Sequence, residues 1–175
     1  MIDVLGRTAH WLAMALMAVF VMACSDEDST PTDPTPSDDD YAITLTLNGG
    51  SLSNKVLAFT DSTAISTYSP NDDMTMIRFN GKVENKAISV VIAFKGTSKS
   101  TRQLDGTSLT EGIIVQWGTE VYAAMTQGKI VITKYDDSIG SEVEGTFDGT
   151  GMGTVNSTPA NITVSAGSFK ARRAS

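Results

Sequence analysis

The 175-residue chain carries 13 lysines and arginines against 20 aspartates and glutamates, a formal charge of −7, but seven of the acids fall in residues 25–40, where there is no base, while residues 41–175 hold twelve of each sign. The larger part is neutral and offers no electrostatic footprint for nucleic acid or an anionic lipid surface, so nucleic acid is excluded as a partner. The single histidine, His10, and the single cysteine, Cys24, both precede residue 25, which removes Ser-His-Asp and Cys-His nucleophiles, Cys/His zinc sites and disulfides from residues 41–175 and predicts a module with no metal and no cofactor.

Arg7 is the one basic residue among the first 23, and residues 11–23 form a run of 13 without a charge. Such a run is shorter than the ~20 apolar residues of a membrane-spanning helix and lies where a secretory h-region belongs, so residues 1–23 read as a cleaved signal peptide. Its end, Val21-Met22-Ala23-Cys24, resembles the lipobox of bacterial lipoproteins: an aliphatic residue, a variable one, a small one, then cysteine. The resemblance implies cleavage between Ala23 and Cys24, a diacylglyceryl group on the Cys24 thiol, and a fatty acyl chain such as palmitate on the freed amine. Two or three acyl chains, at about 0.8 kcal/mol per buried methylene, anchor a protein lastingly where one chain binds reversibly.

Residues 25–40, SDEDSTPTDPTPSDDD, contain three prolines and no aliphatic or aromatic side chain. Like-charge repulsion, proline and the lack of anything to bury predict that residues 24–40 form an extended, disordered tether behind the lipidated cysteine. At about 3.1 Å per residue it would hold the following domain up to roughly 50 Å from the membrane. Its first residues, Ser25-Asp26-Glu27-Asp28, resemble the signal that exports Bacteroidota lipoproteins to the outer face of the outer membrane. That implies display at the cell surface, the periplasmic face of the same membrane being the alternative.

From residue 41 the pattern changes to alternation. In YAITLTL, residues 41–47, Tyr41, Ile43, Leu45 and Leu47 fall on one face and Ala42, Thr44 and Thr46 on the other, the signature of a half-buried strand. Further strands are predicted at 55–59, 64–68, 74–82, 87–95, 112–117, 120–125, 129–135, 142–148 and 161–170, and no stretch has a helical period. Asn48-Gly49 and Asn80-Gly81 supply hairpin turn chemistry, and residues 69–73, SPNDD, a further loop. The echo between LNGGSLSNK (47–55) and FNGKVENK (79–86) reads as repeated turn chemistry rather than a duplicated unit. Residues 147–161, rich in glycine, read as a loop long enough to cross between sheets. The expected architecture for 41–175 is a single all-β domain, mostly antiparallel, either a sandwich or a strongly curved, partly closed barrel.

Near the C-terminus, Gly128, Ile130, Ile132, Thr133, Tyr135 and Asp136, then Gly145, Thr146 and Phe147, then Ile162, Thr163, Gly167 and Phe169 resemble the closing section of a family of Bacteroidota-type, β-rich lipoproteins. The resemblance covers about the last 50 residues. It implies an extracytoplasmic β domain and no particular activity.

Several residues are candidates for chemistry. Glu142, Glu144 and Asp148 would share a strand face, and a carboxylate pair is the machinery of a glycosidase, but only in a cleft that raises one pKa; opposite Lys129 or Lys134 such residues make cross-strand ion pairs instead. Asp136, Asp137, Ser138 and Glu142 suggest calcium, yet their spacing departs from an EF-hand loop, and they read better as a solvated turn, as do Asp72 and Asp73. Trp117 and Tyr122 are candidate ligand contacts through ring stacking, with Tyr68 behind them, although Trp117 alternates with Ile113 and Val115 and reads first as core. Asp28-Ser29-Thr30, Asp61-Ser62-Thr63 and Asp137-Ser138-Ile139 match the pattern of Bacteroidota O-glycosylation, making Ser29, Ser62 and Ser138 candidate modification sites.

Together these readings predict a lipid-anchored envelope lipoprotein acting as a non-catalytic binding or assembly module, its partners the membrane, through the anchor, and a ligand or envelope protein. The alternatives are a calycin-like binder of a small hydrophobic molecule and, more distantly, a carboxylate glycosidase.

Overall fold

A computed structural model describes residues 41–108 and 110–174, which lie within one compact unit. The described chain is all β. Its strands are β1 (Ala42–Gly49), β2 (Leu52–Thr60), β3 (Ile65–Ser69), β4 (Met74–Val83), β5 (Lys86–Lys95), β6 (Ser100–Asp105), β7 (Gly112–Trp117), β8 (Val121–Lys134), β9 (Glu142–Val155) and β10 (Thr158–Arg173).

They form one ten-stranded sheet in the order β2-β1-β10-β3-β4-β5-β7-β8-β6, with β9 joining β10 to β8. Following the pairings β10, β3, β4, β5, β7, β8, β9 and back to β10 traces a ring, so the curved, partly closed barrel is the architecture adopted. The closure is uneven: every pairing is antiparallel except β10 with β3, which spans only Arg172↔Ile65 and Arg173↔Ser66. Both long outer strands of the β8–β9–β10 ribbon are shared. β8 pairs β7 along its first half and β6 along its second, and β10 pairs β1 and then β3.

Alternation fixes which side chains turn into the core. Ile43, Leu45 and Leu47 of β1, Ile77 and Phe79 of β4, Ile88, Val90, Ile92 and Phe94 of β5, and Ile113, Val115 and Trp117 of β7 all join one continuous buried cluster. At roughly 25 cal/mol per Å² of buried apolar surface, that cluster is the main stabilising term in a domain without disulfides. The interior is filled: Phe79, Phe94, Met125 and nine aliphatic side chains are essentially inaccessible.

Four expectations need correction. Residues 147–161 are not a crossing loop but the hairpin of β9 and β10, closed by Asn156 and Ser157 at φ 50° and 65°, as a type I′ turn requires. Their glycines face inward against the β8 backbone: a Cβ at Gly151 would run into the Ala124 carbonyl, and one at Gly153 into that of Tyr122. The segments 120–125 and 129–135 are one strand, β8, bulged between Met125 and Gln127. Residues 100–105 form β6, a short strand at the end of the sheet order whose only buried side chain is Leu104, too little apolar content to register as alternation. Asn80-Gly81 lies within β4, and the β4–β5 turn is Glu84-Asn85 at φ 52° and 61°. Gly81 is small for another reason: the Phe59 ring of β2 packs where its side chain would be, with Cε2 3.0 Å from a built Cβ.

Candidate functional site

Glu142, Glu144 and Asp148 do share the outer face of β9, opposite buried Val143, Gly145 and Phe147. Register then gives each a cation. Lys134 on β8 bonds Glu142 and lies 3.5 Å from Glu144, Lys170 on β10 lies 2.8 Å from Glu142, and Lys129 lies 3.3 Å from Asp148. Hydrogen bonds from Lys134 and Lys170 pull the Glu142 carboxyl down to about 2, and the same bond raises Lys134 and Lys170. A general acid needs the opposite displacement. The carboxylates here are the acidic half of an ion-pair ladder.

The acids of the turns serve their own loops. Asp136 Oδ1 accepts from the Ser138 amide at 2.8 Å, Asp137 faces solvent with Arg173 3.6 Å away, Asp72 accepts from Ser69 Oγ, and Asp73 accepts from Tyr68 OH, which raises the phenol's pKa. No group of three His, Cys, Asp or Glu side chains among the described residues is placed to hold a metal ion. Asp61 is different, being 7% exposed. It accepts from Thr63 N at 2.8 Å, Thr63 Oγ1 at 2.6 Å and Asn80 N at 2.7 Å, tying the β2–β3 turn to β4. Ser62 projects from that turn into solvent, and Ser138 is likewise exposed. Ser29, Ala23, Cys24 and Ser25-Asp26-Glu27-Asp28 lie outside the described residues.

The two aromatic candidates part company. Trp117 is buried, its Nε1 donating to the Val83 carbonyl at 3.2 Å while the ammonium groups of Lys55 and Lys86 cap its ring at 4.9 and 4.7 Å. It plugs the space between β2 and the β4–β5 hairpin and offers a ligand nothing. Tyr122, five residues on, points the other way and is half exposed.

Around Tyr122 the barrel's outer face has a composition that no single stretch of sequence displays, because it is assembled by register across five strands. Opposed pairs place Asn80, Ser89, Gln116, Tyr122 and Thr154 in one row from β4 to β9. The next row is Arg78, Val91, Ile114, Ala124 and Met152, and a third begins Met76, Ala93, Gly112. Arg78 is the only charged residue among them. Met76, Ile114, Tyr122 and Met152 are each at least 40% exposed, a concentration of large apolar surface that marks an interaction site more often than a bare fold. A groove of about 200 Å³ runs beside this face between Val91, Ala93, Ile114 and Ala124 and the overhanging Ser108, Thr110 and Glu111. Glu111 is held in place by the Lys95 amide, which donates to its carboxylate at 3.0 Å.

Comparison of the chain with protein-family models, with curated proteins and with solved structures gives no match in any of the three.

Proposed function

We propose that the chain is a lipid-anchored lipoprotein of the outer membrane, displayed at the cell surface, whose β domain is a non-catalytic binding or assembly module. The anchor reading rests on Val21-Met22-Ala23-Cys24 behind an uncharged run of signal-peptide length. The module reading is carried by one observation: the rows around Tyr122 on the outer face of β4, β5, β7, β8 and β9, charged only at Arg78, carry four exposed large hydrophobic side chains and none of the carboxylates of the ladder. The filled interior supports a partner on this face over a small hydrophobic ligand inside the barrel. The lysine-bonded state of Glu142, Glu144 and Asp148 supports a binding role over glycosidase chemistry.

Metabolic labelling with an alkyne fatty acid tests the anchor. The chain takes up label and Cys24→Ala takes up none; undiminished labelling of that variant would sink the lipoprotein reading. Protease added to intact cells then separates the two membrane faces, since digestion without permeabilisation means surface display and resistance means the periplasmic side.

A further inference from the structure

We propose that the row Tyr122, Gln116, Ser89 and Asn80 binds a neutral oligosaccharide, with a pyranose ring stacked on Tyr122 and the carboxamides of Gln116 and Asn80 hydrogen-bonded to the hydroxyls of adjoining sugars. This deepens the reading of the outer face as a binding surface and rests on it.

The row is built by the sheet. Tyr122 stands opposite Gln116, Gln116 opposite Ser89 and Ser89 opposite Asn80, so neighbouring side chains project in parallel at the strand spacing of about 4.8 Å and the row extends for about 14 Å. The Asn80 end is held in place by the bond from its backbone amide to Asp61. In contrast, the side-chain oxygens and nitrogens of Asn80, Ser89, Gln116 and Tyr122 make no hydrogen bond to the described protein. Ordered strands thus present two amides and two hydroxyls with every donor and acceptor uncommitted.

Shape and charge select the ligand. A groove of about 260 Å³ lies along Asn80, Ser89 and Gln116, with Gly81 and Gly118 also in its lining. Tyr122, paired with Gln116 on the neighbouring strand, presents an exposed ring, and the C–H face of a pyranose is apolar enough to cover such a ring while its rim of hydroxyls stays wet. Carboxamides pair a donor and an acceptor side by side, and vicinal sugar hydroxyls, free to rotate, meet both. A protein surface would need a matching group fixed opposite each one. No charged residue stands in this row, so an acidic polysaccharide gains nothing from it and a neutral one loses nothing.

The test uses the mature lipidated chain in detergent against a panel of neutral α- and β-linked hexose and N-acetylhexosamine oligosaccharides, with uronic-acid oligosaccharides as the charged control. At least one neutral class binds, Tyr122→Ala weakens it tenfold or more at unchanged Tm, Gln116→Ala weakens it severalfold, and Tyr122→Phe keeps most of the affinity. A silent panel, or binding that Tyr122→Ala leaves intact, overturns the proposal. A photo-crosslinking residue at Ile114, exposed in the next row, separates this from the wider reading. Crosslinks to one envelope protein with a silent sugar panel replace the glycan by a protein on the same face, and a silent panel without crosslinks removes the face as a binding surface altogether.

Discussion

The β8–β9–β10 ribbon is one continuous structure with two different outer surfaces. Where it crosses β1 and β6, its outward residues include Lys129, Lys134, Glu142, Glu144, Asp148 and Lys170, linked into ion pairs, with neutral Thr146 and Ser168 among them. Where it joins β7, they are Tyr122, Ala124, Met152 and Thr154, neutral and exposed or half-exposed. The backbone does the same thing in both halves, pairing β8 with β9 throughout. What differs is whether the polar groups find partners inside the chain. Half-exposed lysine-carboxylate pairs contribute at most about 1 kcal/mol each, so the charged half gains solubility and register more than stability. In the neutral half the outward side chains have no charge to pair.

The comparison holds only while β8 and β9 stay in close contact through the neutral half, and Gly151 is where that is decided. Any Cβ there meets the Ala124 carbonyl, which belongs to the β8 backbone and cannot rotate away. Gly151→Val is expected to cost about 3 kcal/mol, the upper end for overpacking, and to splay Tyr122 and Met152 apart. Urea unfolding measures it. A loss under about 1 kcal/mol would mean that the strands separate easily and that the row is not rigid.

A buried acid next to the neutral face provides a second contrast with the exposed acids of the ladder. Asp61 accepts two backbone amides and a hydroxyl, so Asp61→Ala strands the amides of Thr63 and Asn80. The expected loss is about 2 kcal/mol, well above that for any carboxylate of the ladder, with faster amide exchange at Asn80. Equal losses at Asp61 and Asp148 would erase the distinction between bonded-to-backbone and bonded-to-lysine acids.

How legible these halves were in the sequence follows from how each is encoded. The charged half was readable because a strand's own alternation, Val143-Glu144-Gly145 through Phe147-Asp148, states both its faces, and opposite charge on neighbouring strands suggests the pairing. Trp117 could be assigned to the core for the same reason, since Ile113 and Val115 share its parity. The neutral row was not readable, because Asn80, Ser89, Gln116 and Tyr122 are adjacent only once four strands are in register. Glycine misled where it served sterics: GTGMG in β9 looks like a loop by composition, but its alternating glycines admit the β8 backbone. Asn80-Gly81 has the letters of a hairpin turn, and Phe59, distant in sequence, is what requires the glycine.

The smallest expected effect sharpens the comparison from the charged side. Glu142 has an ordinary pKa of 4.5, brought down to about 2 by hydrogen bonds from Lys134 and Lys170. A carboxyl whose pKa is lower folded than unfolded adds stability that is fully present above about 4.5 and disappears as pH falls through the window to about 2. Because the side chain is 29% exposed, solvent screening keeps that contribution to about 1 kcal/mol or less. Glu142→Gln should therefore leave the unfolding midpoint almost unchanged at pH 2 and lower it slightly at pH 7, flattening the acid limb of stability against pH. Glu144, 3.5 Å from the same lysine, would still hold Lys134 near β9, so the double variant Glu142→Gln with Glu144→Gln should flatten the limb further. An acid limb identical in wild type and both variants would mean that the ladder carries no stability and serves only to occupy the ribbon's charges.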